Sequence, residues 1–290
     1  MARSSSLLII GCGDVGLRVV RALGGRLRVF ALTSSPARCE ALRAAGVHPM
    51  VGNLDDPASL GRLAGLADAV LYLAPPPPGG HADPRLRALL AALGRRTLPA
   101  RVVYASTTGV YGDCRGELVS ETRPLNAATD RARRRVDAER QLRAWGRATG
   151  ARVSVLRIPG IYAADRDGGR PQDRVQRGTP VLAAEDDGYT NHIHADDLAR
   201  ACIAALWRGK PQRVVQVCDD SDMKTGDYYD LVADLSGLPR PPRVTRAQAG
   251  ERFTPAQWSF LNESRRLSNE RMKRELRLRL QRPTIREGLA

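Results

Sequence analysis

Lysine is almost missing from this sequence. It stands only at Lys210, Lys224 and Lys273, so nearly all of the formal charge of +15 rests on arginine spread along the chain. Aromatic residues are also sparse, at 4%, and none are interleaved with basic residues in the manner of a base-stacking surface. Nucleic acid is therefore not the expected partner, despite the charge. No apolar run reaches the length of a membrane span, so no membrane partner is expected. The N-terminus MARSSSLLII has no long apolar segment and no small-residue cleavage site. No signal peptide is expected, and the chain reads as cytoplasmic. No Cys-x-x-Cys occurs, and the five cysteines (Cys12, Cys39, Cys114, Cys202, Cys218) are scattered and odd in number. That pattern fits free thiols in a reducing compartment, without a structural metal.

What the sequence does contain is organised around Leu7 to Gly25, LLIIGCGDVGLRVVRALGG. Leu7, Leu8, Ile9 and Ile10 form a short continuous apolar run, as a strand covered on both faces would. Gly11, Gly13 and Gly16 follow at G-x-G-x-x-G spacing, with Asp14 and Val15 between the last two. Val15, Val19, Val20 and Leu23 recur at helical spacing, and Gly24-Gly25 ends the helix. Gly11 permits the tight turn, Gly13 leaves room for a pyrophosphate against the backbone, and Gly16 lets the helix approach the strand. A helix N-terminus at this point offers free N–H groups and a positive dipole end to phosphates. The spacing therefore predicts a dinucleotide site.

With 290 residues, the chain can bury a sizeable core as one large domain or two. Strands are expected over 27–32, 47–51, 69–74, 101–105 and 152–158, alternating with helices over 37–45, 57–66, 85–95 and 129–149. That alternation predicts an α/β fold, a doubly wound parallel sheet. Ligands of such sheets bind beyond the carboxyl ends of the strands. Thr33 and Ser34 follow strand two, Asn53 and Leu54 strand three, Ala74 and Pro75 strand four, and Pro159 and Ile161 strand six. Ser106 ends strand five. These residues complete the expected cofactor site. No acidic residue follows strand two to bind a ribose 2′-hydroxyl, whereas Arg38 suits a 2′-phosphate, which favours NADP over NAD. Beyond residue 163 the pattern loosens. A mobile loop is expected over 165–178, a helix entered through His194-Ala195-Asp196-Asp197 with the aspartates as its caps, and a strand over 214–218. Residues 1–162 are expected to form the nucleotide-binding domain, with elements near 191–218 returning to it. Residues 163–290 are expected to be mainly substrate-binding.

Several segments together resemble the extended short-chain dehydrogenase/reductase family, the group of NAD-dependent sugar epimerases and dehydratases. They are the glycine turn 11–16, Ser106-Thr107-Thr108-Gly109-Val110-Tyr111-Gly112, Leu156-Arg157-Ile158-Pro159-Gly160-Ile161-Tyr162 and Ile193-His194-Ala195-Asp196-Asp197-Leu198-Ala199. The closing segment from Arg274 to Leu289 is similar as well. The resemblance implies a Rossmann domain with a smaller C-terminal substrate domain, and it leaves a homodimer open. It also implies hydride transfer on a small-molecule substrate, with Thr107 orienting the reacting oxygen. His194 matches a position that is structural in the family, its ring hydrogen-bonded to backbone.

The sequence departs from the family at its Tyr-x-x-x-Lys. Aligning Ala138-Glu139 puts Arg131 in the tyrosine's place and Arg135 in the lysine's. Arg135 is suited to hold a ribose or phosphate, but a guanidinium does not give up its proton as a tyrosine does. Either another group serves as acid/base, with Tyr111, Tyr162, His192 and His194 as candidates, or the protein binds the dinucleotide without turnover as a sensor or partner-binding module. Arg131, Arg135 and Arg157 together suggest a basic crevice and an anionic, even nucleotide-linked, substrate.

Overall fold

The structure is a computed structural model and describes residues 5–289. Seven parallel strands form its central sheet: β1 (Ser6–Ile10), β2 (Arg28–Thr33), β3 (His48–Val51), β4 (Ala69–Tyr72), β5 (Arg101–Thr107), β6 (Arg152–Ile158) and β7 (Arg213–Gln216). Their order across the sheet is β7-β6-β5-β4-β1-β2-β3. The chain builds outward from β1 to β3, then returns to pair β4 against the other side of β1, Leu8 lying opposite both Phe30 and Val70. The order reverses between β1 and β4, which opens a crevice at the carboxyl ends of these two strands.

Apolar residues on both faces of each central strand fix this arrangement. Leu7 and Ile9 pack into one core with Val19 of α1 (Asp14–Leu23) and Leu198 and Cys202 of a later helix. Leu8 and Ile10 face the opposite core with Leu60 and Leu63, Leu89 of the helix Pro84–Leu93, and Leu142 of the helix Asp130–Thr149. A strand buried on both sides has no use for polar alternation, which is why β1 reads as a continuous apolar run. Expected and observed elements agree closely here. The segment after β3 winds as a 3₁₀ helix, Pro57–Leu63, opened by Pro57 and capped by the Asp56 carboxylate.

Past β6 the chain leaves the sheet. Gly160–Tyr162 pairs with His192–His194 in a small parallel bridge. Residues 165–178, expected to be a mobile loop, contain the helix Pro171–Gln176, which packs on the helix Thr225–Ser236. Pro171 supplies the fixed φ that starts it. The helix Ala195–Arg208 is capped by His194, whose Nδ1 accepts the Asp196 N–H at 3.2 Å, and not by the aspartates. Asp196 is turned to Arg18 instead, and Asp197 accepts the N–H groups of Gln281 and Arg282. The five cysteines are free and buried. Among the described residues no helix is long and apolar enough to cross a membrane, and no cluster of side chains could hold a metal ion.

Candidate active site

The glycine turn lies at the head of the crevice. Gly11 has φ +82°, and a Cβ on it would come within 2.6 Å of the Ala74 backbone nitrogen, so β1 and β4 meet there through glycine alone. Gly16 is tight for a different reason, since a Cβ would stand 3.1 Å from Cys12 Sγ. At Gly13, by contrast, nothing lies within 4 Å of a Cβ position. The backbone there faces open space at the start of α1. Asp14 and Val15 follow. Val15 packs against the core, and Asp14 is held by Arg18 and Arg166, at 3.0 and 3.1 Å. Burial pushes the Cys12 thiol up to about 11, so the turn carries no thiolate at neutral pH.

A cavity of about 360 Å³ runs from this turn over the ends of β2 and β3. Thr33, Ser34, Arg38, Asn53, Leu54 and Ala74 line it. Arg38 Nη2 donates to the Cys12 carbonyl at 2.8 Å, which sets the guanidinium beside the turn. One carboxylate lines the cavity, Asp55, and Arg85 grips it with two hydrogen bonds of 2.7 and 2.6 Å. That arginine also donates to the Pro75 carbonyl. The Asp55–Arg85 pair was not legible in the sequence, because the partners stand on separate connections whose proximity is set by the pairing of β1 with β4.

A second cavity, of about 730 Å³, opens at the carboxyl ends of β5 and β6. Thr107, Pro159 and Ile161 enter it from the sheet, and Arg131 from the helix Asp130–Thr149. Thr107 Oγ1 accepts the Gly109 N–H at 3.3 Å, which leaves its own proton available to a ligand oxygen. Tyr189, Tyr229, Phe260 and Glu263 come from the chain beyond β6 and close the far wall. None of these four was marked by a motif, and only the fold brings them to Thr107. Arg131 lies 4.1 Å over the Phe260 ring. Glu263 is committed to Arg265, at 2.9 Å.

Arg131 and Arg135 sit one turn apart but have different surroundings. Arg135 points under the sheet ends, where Nη1 donates to Tyr104 Oη and the Ala105 carbonyl, each at 2.9 Å. Arg157 does not face a crevice, contrary to the expectation of a three-arginine patch. It is buried, paired with Glu139 and bonded to Tyr111 Oη at 2.8 Å. Ser106 is drawn into the same interior group, its hydroxyl donating to Glu139 at 2.6 Å. Tyr111 is fully enclosed by this group, and burial pushes its hydroxyl above the ordinary value. Tyr162 is enclosed as well, with its hydroxyl donating to the Thr284 carbonyl at 3.3 Å and its ring edge-on to His194. Neither tyrosine reaches the cavity. His192 does, stacked on Tyr228 with ring centroids 3.9 Å apart.

Residues 7–218 match the NAD dependent epimerase/dehydratase family. Protein YeeZ of Escherichia coli K12 is 25% identical over 243 residues, covering 80% of this chain and 84% of YeeZ. A conserved protein of unknown function from Silicibacter pomeroyi has a solved structure that superposes with a TM-score of 0.81. It is 32% identical, and the match covers 99% of this chain and 97% of that one. The dTDP-glucose 4,6-dehydratase DesIV of Streptomyces venezuelae, solved with NAD bound, superposes with a TM-score of 0.78 at 20% identity. That match covers 98% of this chain and 94% of the other. The glycine turn at the β1/β4 switch point and a family match spanning the whole central sheet lead to one statement: this chain belongs to the NAD dependent epimerase/dehydratase family.

Proposed function

We propose that this protein binds a nicotinamide dinucleotide along the crevice from Arg38 to Thr107 and uses it for hydride transfer on a small anionic substrate held in the second cavity. The observation that carries this reading is the open backbone at Gly13 at the start of α1, with one cavity over the ends of β2 and β3 and another at the ends of β5 and β6. Gly11, Gly13 and the start of α1 would hold the pyrophosphate, and Thr33, Ser34, Arg38, Asn53 and Leu54 the adenosine half. Arg38 and the absence of a free carboxylate after β2 favour NADP. The dinucleotide supplies a hydride acceptor and donor at its nicotinamide ring. Thr107 donates its hydroxyl proton to the reacting oxygen and so holds a carbinol or carbonyl carbon in position. Arg131 contributes positive charge at the mouth, which suits a phosphate or carboxylate, including that of a nucleotide-linked sugar.

A second reading, binding without turnover, is favoured by Arg135. Its guanidinium is spent on Tyr104 Oη and the Ala105 carbonyl, and Tyr104 is buried away from both cavities with its hydroxyl pushed up to about 12 by burial. Fluorescence titration with NADPH and NADH, followed by absorbance assays at the nicotinamide band against nucleotide sugars and hydroxy acids, separates the two. Micromolar binding with turnover that falls in Thr107→Val supports hydride transfer. Binding with no turnover against any substrate supports the sensor. No binding of either nucleotide overturns both.

A further inference from the structure

A third groove shares no residue with the two cavities above. It measures about 840 Å³ and lies between α1, the helix Ala195–Arg208 and the segment that follows Glu275. Its floor is one stripe of the long helix, with Ala199, Ile203, Ala204 and Trp207 at helical spacing. From Ala199 to Trp207 that stripe runs about 12 Å at the rise of an α-helix. Trp207 is 45% exposed, and of the three tryptophans in the chain it alone is exposed. An aromatic ring left open to water on an apolar floor is the usual anchor of a protein contact.

The charge around this floor is arranged with equal consistency. Arg18 is neutralised by Asp14, Asp165 and Asp196, and Arg200 by Asp197. Among the described residues Asp196 is the one carboxylate lining the groove, and Arg18 occupies it. Three exposed arginines remain at the edges. Arg208 gives a single hydrogen bond to the Leu276 carbonyl, at 2.9 Å. Arg21 on one rim and Arg277 on the other make neither an ion pair nor a hydrogen bond among the described residues. The groove is thus an apolar floor about two helical turns long between cationic rims. A second copy of this chain across a two-fold axis would set arginine against arginine. A bare phosphate backbone would leave the apolar floor and Trp207 uncovered.

We propose that this groove docks an acidic amphipathic helix of a partner protein. The apolar stripe of the partner lies on Ile203, Ala204 and Trp207, and its flanking carboxylates meet Arg21, Arg208 and Arg277. Helix-in-groove recognition supplies the geometry, and the rims supply orientation and selection against basic partners.

The test uses the full chain and a fluorescein-labelled synthetic helix of 18 residues, with leucines at every third and fourth position and glutamates beside them. Anisotropy is expected to show saturable binding. Trp207→Ala and the double variant Arg21→Glu/Arg277→Glu each weaken it by about tenfold or more. The same peptide with lysine in place of glutamate is expected to fail on the parent protein and to gain binding on the double variant. Circular dichroism checks that the variants are folded. Absence of saturable binding, or binding that both variants leave unchanged, overturns the proposal. So does a 12-nucleotide single-stranded RNA that loses its binding in the double variant while the acidic peptide does not, which assigns the groove to nucleic acid.

Discussion

Glu139 and Arg157 form a buried bidentate pair, with Nε to Oε1 at 3.1 Å and Nη2 to Oε2 at 2.7 Å. Both side chains are under 5% exposed. The pair ties the long helix Asp130–Thr149 to β6, and through Ser106 and Tyr111 it tethers the end of β5 that carries Thr107. Removing one partner strands a charge in the interior. Glu139→Ala is therefore expected to lower stability by about 3–5 kcal/mol. The double replacement Glu139→Leu/Arg157→Met should lose far less. Urea unfolding of the three proteins checks this, and equal losses in the single and double variants would contradict it.

The two glycines of the turn should fail in different ways. Gly11→Ala places a Cβ against the Ala74 backbone at positive φ, so a stability loss of about 2 kcal/mol or more is expected. Gly13→Ala meets no atom of the protein. Its thermal midpoint should stay within about 2 °C of the parent, while dinucleotide affinity falls at least about tenfold, because the methyl would stand in the proposed pyrophosphate site. Thermal unfolding and fluorescence titration of both variants read the two effects separately.

Arg38 lies at the open edge of the first cavity, anchored through one nitrogen to Cys12. Arg38→Ala is expected to weaken NADPH by about 1.5–3 kcal/mol, the worth of a charge-assisted contact, and to leave NADH nearly unchanged. An equal loss for both nucleotides would show that the residue only positions the turn.

Burial pushes the Asp219 carboxyl up to about 8, with Oδ1 accepting the Ser221 N–H at 3.0 Å and Oδ2 enclosed without a partner. Its folded value lies above its unfolded value, so the folded state binds the extra proton between roughly pH 4 and 8. The contribution to stability is complete below that window and is lost as pH rises through it. Asp219→Asn keeps the shape without the ionisation. It should match the parent near pH 4 and exceed it by on the order of 5 kcal/mol at pH 9. Denaturation series at pH 4, 7 and 9 follow the divergence, and parallel curves would show that Asp219 stays ionised in the fold.

Local sequence determined the scaffold. The apolar run Leu7–Ile10, the three glycines and the helical spacing from Val15 to Leu23 specify β1, its turn and α1, because each is a short-range demand on backbone angles and burial. The alternation of strands and helices specifies the parallel sheet in the same way, and the arginines at 131 and 135 were visible as departures from the family pattern. The tertiary structure decided which charges are spent. Arg157 reads like a crevice residue but is consumed by Glu139, while Arg21 and Arg277 read like ordinary surface and turn out to be the unpaired rims of a groove. The wall that Tyr189, Tyr229, Phe260 and Glu263 build across from Thr107, and the grip of Arg85 on Asp55, join residues far apart in the chain. No local periodicity encodes such contacts. Strand order and the packing of the C-terminal third onto the strand ends bring them together, and the low dielectric of the resulting interior sets which groups keep their charge.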